Sequence, residues 1–511
     1  MRIVQVANFY TPASGGLRTC VDEIGRGYLA AGHDRVLVVP GLSDADEFTS
    51  SGRRITVRGR RFGAAGYHVL TSARTLPILE SVGPEVLECS DKLSMRWLAP
   101  WARRNGVPVV LFSHERIDAI LRTRVPPGFP LVTAADLANR QLAARAEHIV
   151  VTSGFAAAEF TRIGAANVRR IPLGVDLHTF RPIDPGVVGA GGGRGHTTTI
   201  ATVSRSTPVV QPSALPQKGS STTHSACSRS ERTRWLPRIV GPSRASDTAS
   251  RRASGPGENH LPNRSGRTPV DSTGQSPADP AASALHLGRS APRNSGPIAL
   301  PHWQFHSAQH HPNSTVQLVM VSRLSREKCP DRAIDAVRLL CDSGIRVRLT
   351  VIGDGPLREC LQRQSADLPV TFLGYVADRN LVAATLAHAD IALCPSPAET
   401  FGLAVLEALA CGTPVVVPRD GAARELLGPE GSGVDCDGTP AGLADGVRTL
   451  LTQPADRRRQ AARRSAERFS WSITVTGMLA LYADLEPGAT SARPREKRIR
   501  APRTDFTTPG R

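Results

Sequence analysis

The sequence predicts an α/β protein made of two parallel-sheet units joined through a long segment of different character. Three observations lead to this. Short, nearly continuous Val- and Ile-rich runs alternate with helical patterns over residues 1–182 and again over 316–486, as strands buried on both faces of a parallel sheet do. The chain has 511 residues, too many for one ordinary core and enough for two. Between the two stretches, residues 187–315 are rich in Ser, Arg, Pro, Thr and Gly and lack aliphatic periodicity. Such a composition buries too little apolar surface to offset ordering entropy, so this segment is expected to be a disordered insertion.

The elements follow in order. MRIVQVA reads as the first strand, and NFYTPASGG as the loop after it. In the next stretch Leu17, Val21, Ile24 and Tyr28 fall at helical spacing, with Gly32 as the stop. DRVLVVPG, VPVVLFSH (107–114), EHIVVTS (147–153) and VRRIPLG (168–174) are further strands, and residues 135–146 carry a helical pattern. Order is expected to return at Val316 with five strand-like runs: VQLVMVSRL, VRLTVIGDG, VTFLGYV, IALCPS and TPVVVP. The helical patterns 330–344 and 379–390 lie between them. A last helix is expected over 473–485, and the basic tail 487–511 reads as disordered. Within the insertion, TTTIATVSRS (197–206) loosely echoes STVQLVMVSRLS (314–325).

The net charge of +18 first suggests a nucleic-acid partner. Its distribution argues against one. Residues 187–315 hold 14 Arg/Lys against 5 Asp/Glu, and the segment from Pro487 holds 7 against 2. The remaining chain carries only +4, an ordinary value for an enzyme. No zinc spacing or RNP-like aromatic pattern supports nucleic-acid binding either. Nine cysteines occur without CxxC pairs, which fits reduced, buried thiols and a cytoplasmic protein. Residues Ile3–Ala7 run straight into a glycine loop with no leader pattern, and no run reaches the length of a membrane span. Membrane contact is therefore expected to be peripheral at most.

Candidate site residues lie where strands end. Arg323 and Lys328 follow VQLVMV and precede a helix opened by Pro330 and Asp331. Two cations at a helix start suit an anion between them, as a phosphate would be, or are solvated charge. Gly15 and Gly16 stand between strand and helix, either for close approach of a ligand or for a tight turn. His114 closes a strand where open α/β sheets bind ligands, or is structural. In PSPAETFGLAVLEALACGTPVVVP (395–418), Glu399 and Glu407 flank the start of an apolar helix. The amides of Phe401, Gly402 and Leu403 there are first-turn donors open to an anion. A buried carboxylate is costly unless paired or ligand-bound, so both glutamates suit a polyhydroxyl ligand, with a solvent-facing residue and a helix-dipole partner as the plain alternatives. DAD (44–46) and DCD (435–437) read as loops rather than metal sites.

ETFGLAVLE resembles the E-x7-E pattern of the retaining GT-B glycosyltransferases of family four. SGGLRT, the SH at 113–114, IPLGVDLHTFRP, VSRLSREK, VIGDGP and FLGYV occur in that family's order, over roughly residues 1–182 and 316–486. The resemblance implies an acceptor-side Rossmann-like domain over 1–182 and a nucleotide-sugar-binding one over 316–472. A helix over 473–486 would cross back to the first domain. It further implies that Arg323 and Lys328 bind the donor diphosphate, Glu407 the ribose, and Glu399 with Phe401, Gly402 and Leu403 the sugar and phosphate. Gly16 would abut the diphosphate, His114 would lie at the sugar, and Gly353 and Gly374 would line the base pocket. Neither metal nor cofactor is implied. SGGLRT and NFYTP are similar to actinobacterial GDP-mannose-dependent phosphatidylinositol mannoside mannosyltransferases. This implies a GDP-mannose donor, a lipid-linked or glycan acceptor, and action at the inner face of the plasma membrane. The alternatives left open are a UDP-sugar donor and an inactive member that only binds nucleotide. Arg53, Arg54, Arg58, Arg60 and Arg61 suit anionic headgroups or a solvated face.

Overall fold

Apolar runs become strands wherever their side chains find cover on both faces. The computed structural model describes residues 1–11, 15–62, 67–116, 118, 130–183 and 314–485, all within one compact unit. The insertion expected over 187–315, save its last two residues, lies outside the described residues; so do the echo at 197–206 and the tail. The first sheet holds β1 (Arg2–Val6), β2 (Asp34–Gly41), β3 (Ala45–Thr49), β4 (Gly52–Arg58), β7 (Val86–Cys89), β8 (Val109–Ser113), β9 (His148–Val151) and β10 (Val168–Arg170). A separate hairpin pairs β5 (Arg60–Phe62) with β6 (Tyr67–Val69). The strand order is β10-β9-β8-β7-β1-β2-β4-β3, parallel throughout except for β3, which pairs antiparallel with β4.

The second sheet holds β11 (Val316–Val321), β12 (Val347–Ile352), β13 (Val370–Gly374), β14 (Ile391–Leu393), β15 (Val415–Pro418) and β16 (Gly433–Cys436). Its order is β13-β12-β11-β14-β15-β16, with every pairing parallel. In each sheet the chain moves outward from one central strand and then returns to fill the other side. The reversal falls between β1 and β7 in the first sheet and between β11 and β14 in the second. Crevices open at the carboxyl ends of strands at such reversals, because consecutive crossovers diverge there.

The five strands expected after Val316 form in place, and β16 joins them. The first half contains β3, β4, β5, β6 and β7 beyond the expected strands. The first helix begins at Gly15, so the Gly15–Gly16 pair lies in its first turn instead of before it. Its buried residues, Cys20, Val21, Ile24 and Tyr28, keep the expected face. The last helix covers Trp471–Ala483, two residues earlier at its start than expected. It packs on the first helix, where Tyr28 and Tyr482 hydroxyls lie 3.1 Å apart. Both hydroxyls donate to Glu88, fully buried on β7, whose carboxylate accepts from Tyr28, Tyr482 and Gln5 at 2.9, 2.6 and 2.9 Å.

Two loop readings are corrected. Asp46 lies in β3, with Asp44 just before it, and Asp435 and Cys436 lie in β16. Asp46 holds Arg53 across the β3–β4 ladder at 2.7 Å, and cross-strand charge of this kind makes an acidic edge strand tolerable. Asp435 holds Arg419 at 3.1 Å. No described helix is long and apolar enough to cross a membrane.

Candidate active site

The β11–β14 reversal brings two loops together. β11 and β14 are hydrogen-bonded neighbours, so the chain leaving Val321 and the chain leaving Leu393 emerge side by side. Lys328, at the end of a short 3-10 turn over Arg326–Lys328, reaches across and places Nζ 2.5 Å from Glu399 Oε1. Both side chains are about a quarter exposed, at 24 % and 25 %. Glu327 fixes this geometry from behind. Its carboxylate accepts from Ser325 Oγ at 2.7 Å and Arg323 Nη2 at 2.6 Å, while its carbonyl accepts from Ser396 Oγ at 3.0 Å. Burial alone would raise the Glu327 carboxyl; Ser325, its own amide and Arg323 outweigh burial and hold it below the usual range.

The helix after Glu399 runs Leu403–Ala410 and is nearly all apolar, with Val405, Leu406, Ala408, Leu409 and Ala410 buried. Each buried Leu contributes about 2 kcal/mol through surface removed from water, which seats the helix firmly on the sheet. Gly402 precedes it with φ of 96°, a conformation that costs a residue with Cβ strain. The first intrahelical bond runs from Leu406 N to Gly402 O, so the amides up to Val405 precede any helical acceptor.

Glu407 is buried, with its side chain 10 % exposed. Arg379 Nη2 lies 3.1 Å from its Oε1. Burial raises the Glu407 carboxyl above its usual range, and Arg379 opposes that shift without cancelling it. Arg379 also donates to Thr19 Oγ1 on the first helix at 3.1 Å, and its guanidinium lies 4.8 Å from the Phe180 ring centroid. A buried carboxylate in this helix is therefore matched by a cation from the start of the Arg379–His388 helix.

The first sheet faces this edge. A Cβ added to Gly16 would meet Leu403 Cδ2 at 4.0 Å, so the first helix starts against the start of the Leu403–Ala410 helix. His114 follows β8, stacked on Phe112 with ring centroids 4.3 Å apart. Burial drives its imidazole down to about 3, so it is neutral, and Nε2 has no hydrogen-bond partner among the described residues. The carbonyl of His114 accepts from Thr400 Oγ1 at 2.7 Å. Cys394, beside Glu399, is pushed up to about 12, first by burial and then by the Glu399 charge, so it supplies no thiolate.

Gly353 directly follows β12 and Gly374 ends β13, and the two are joined by a bond from Gly353 N to Gly374 O at 2.8 Å. Gly353 has φ of 135°, and a Cβ there would fall 1.9 Å from Ser322 O. The structure thus brings Arg323, Lys328, Glu399, Phe401, Gly402, Leu403 and Glu407 to one edge, with Gly16 and His114 across from it. Sequence reasoning missed Glu327, Arg379 and Thr400. The one available signal was the run of charge in SREK, where an acid sits between the cations.

Two family models match the chain: "Glycosyl transferase 4-like domain" over residues 15–174 and "Glycosyl transferases group 1" over 302–468. A GDP-mannose-dependent alpha-(1-6)-phosphatidylinositol dimannoside mannosyltransferase of Mycobacterium tuberculosis is 35 % identical over 486 residues, 94 % of this chain and 95 % of its own. Among solved structures, the sucrose-phosphate synthase of Thermosynechococcus elongatus superposes with a TM-score of 0.60 at 16 % identity, covering 95 % of this chain and 99 % of that one. Anabaena HepE in complex with UDP and glucose gives a TM-score of 0.55 at 16 % identity, with coverage of 95 % and 99 %.

Proposed function

We infer the reaction from one premise: the chain belongs to the glycosyltransferases described by the 4-like and group 1 models, and its two parallel-sheet Rossmann-like domains have the GT-B arrangement. The reading is that it moves mannose from GDP-mannose to a hydroxyl of a lipid-linked acceptor of the phosphatidylinositol mannoside type, with retention at the anomeric carbon. The relative that is 35 % identical along almost the whole chain carries that activity in its name, which supports the donor and acceptor. In this reading residues 1–182 take the acceptor and residues 316–472 hold the donor.

The observation that carries the chemistry is the joining of the β11 and β14 loops through Lys328 and Glu399. A donor diphosphate entering between Arg323 and Lys328 takes over the Lys328 charge, and Glu399 turns to the sugar hydroxyls. Negative charge grows on the leaving phosphate as the sugar becomes oxocarbenium-like. Fixed cations and the amides of Phe401, Gly402 and Leu403 stabilise that charge more in the transition state than in the ground state, which lowers the barrier. Glu407 accepts from the ribose hydroxyls, Gly16 leaves room for the diphosphate, and Gly353 with Gly374 line the base. His114, neutral and next to the sugar, hydrogen-bonds without competing for a proton. A front-face displacement needs no enzyme nucleophile.

The experiment is a transfer assay with labelled GDP-mannose and phosphatidylinositol dimannoside, alongside UDP- and ADP-sugars, with the product anomer read by NMR. Transfer from GDP-mannose with an α product is expected. Preference for a uridine nucleotide or an inverted product would overturn the reading.

A further inference from the structure

Three hydrogen bonds between the two sheets converge on one residue, the neighbour of Glu399. Thr152 Oγ1 and Ser153 Oγ both donate to the Thr400 carbonyl, at 3.0 and 2.6 Å. Thr400 Oγ1 donates in turn to the His114 carbonyl at 2.7 Å. The first-sheet groups come from the ends of adjacent strands, since β8 pairs with β9 through Ser113 and Val151. Thr152 and Ser153 are each 2 % exposed, so the first-sheet side of these bonds is shielded from water, while Thr400 is half-buried. Ser153 Oγ also caps the Gly154–Thr161 helix by accepting from Ala156 N at 3.0 Å, which fixes its own rotamer.

We propose that Thr400 is a positioning residue that sets the gap between His114 on the acceptor side and Glu399 on the donor side. The proposal rests on the roles given above to those two residues. Glu399 sits one peptide bond from a residue bonded to His114, so any slip of Thr400 moves one sugar-binding group against the other. A second contact of the seam runs beside it. Glu425 accepts from Gly154 N and Phe155 N, both at 2.9 Å, and from Arg170 Nη2 at 2.7 Å. That contact comes from the short turn over Ala423–Leu426 and holds the first two amides of the Gly154–Thr161 helix, next to Ser153. Thr400 ties the Glu399 loop directly to the ends of β8 and β9, and Ala422 N holds the Glu399 carbonyl at 3.0 Å from the second-sheet side.

The chemistry also dictates which substitution is informative. Thr400→Val keeps the shape and the carbonyl bonds and removes only the hydroxyl that reaches His114. Thr400→Ser keeps the hydroxyl and removes only a methyl group. A displacement on the order of 1 Å between reacting groups lowers turnover by roughly 10- to 100-fold. Steady-state kinetics of the full-length enzyme should therefore show kcat down by roughly 10- to 100-fold in Thr400→Val, with the donor KM unchanged and Thr400→Ser close to wild type. Hydrogen exchange should rise together in peptides covering 147–156 and 395–403 of Thr400→Val. Turnover of Thr400→Val within about twofold of wild type, or equal impairment of both variants, would overturn the proposal. Wild-type enzyme that transfers no sugar from any donor defeats the functional reading instead. The exchange measurement then decides: a paired rise upholds the clasp, and unchanged exchange removes it.

Discussion

Replacing Arg379 by Met tests whether charge compensation of Glu407 holds this site together. Methionine keeps an apolar stem over Phe180 and deletes the guanidinium. At 3.1 Å and an effective dielectric constant of about 20, the Arg379–Glu407 attraction is about 5 kcal/mol. Arg379 is 40 % exposed, and solvent screening reduces that to about 2 kcal/mol. The sign of the pH dependence follows from burial. Burial raises the Glu407 carboxyl and Arg379 opposes it, so deleting Arg379 raises the carboxyl further. A carboxyl raised in the folded state favours folding where it is protonated. That stabilisation is present below the unfolded carboxylate range and is lost as pH climbs through the folded value. Cys411 stays neutral across this window, since burial and then the Glu407 charge push its thiol up to about 12.

Scanning calorimetry of wild type and Arg379→Met from about pH 4.5 to pH 8 is the assay. The melting points should nearly coincide at the acid end. At the upper end the transition of the domain that holds Glu407 should lie about 4 to 8 °C lower in the variant, given that 1 kcal/mol shifts a domain of about 150 to 250 residues by about 2 to 4 °C. Adding Glu407→Gln to Arg379→Met should remove the part of the pH dependence that Arg379→Met introduces, because no carboxyl then remains at position 407 to ionise. A deficit equal at every pH would refute the reasoning and assign the loss to packing over Phe180.

Gly353→Ala should abolish soluble expression or lower the melting point steeply, because Cβ would lie 1.9 Å from Ser322 O at φ of 135°; a thermal melt checks it. Tyr482→Phe removes a 2.6 Å bond to buried Glu88 and should cost about 1 to 3 kcal/mol in chemical denaturation. Burial already raises the Glu88 carboxyl, so that cost should grow as pH rises above the carboxylate range. Vesicles with anionic lipid should float the wild type, and replacing Arg58, Arg60 and Arg61 by Gln should reduce flotation. Replacing Arg53 and Arg54 should change it less, since Asp46 and Glu47 already hold them at 2.7 and 2.8 Å.

The sheets were legible because buried parallel strands leave an apolar run that no loop imitates, as VQLVMV and VRLTVI do. β3 and β16 were hidden for the same physical reason in reverse. ADEFT and GVDC lie at sheet edges, where one side faces solvent, so acids take positions that the interior would refuse. The site carboxylates were legible as oddities in an apolar helix. Their counter-ions were not: Lys328 lies 71 residues from Glu399 and Arg379 lies 28 from Glu407, and no local spacing encodes such pairs. The buried set of Gln5, Arg35 and Glu88 escaped notice likewise, because its members are single polar residues on three different strands that meet only after the sheet forms.

The two carboxylates solve the same electrostatic problem differently, and the difference assigns them different duties in the proposed reaction. Glu399 and Lys328 are each about a quarter exposed, so water relieves both when they separate. A donor can then exchange with the pair, its phosphates neutralising Lys328 and its hydroxyls satisfying Glu399, with little net cost. Glu407 is 10 % exposed and has no such relief, so Arg379 must stay in place while a ribose binds. Arg379 also donates to Thr19 on the first helix at 3.1 Å, so the cation that compensates Glu407 is held from the first domain as well. In the proposed reaction one guanidinium would therefore serve both the donor-side carboxylate and the contact between the two domains, at a point separate from the Thr400 bonds.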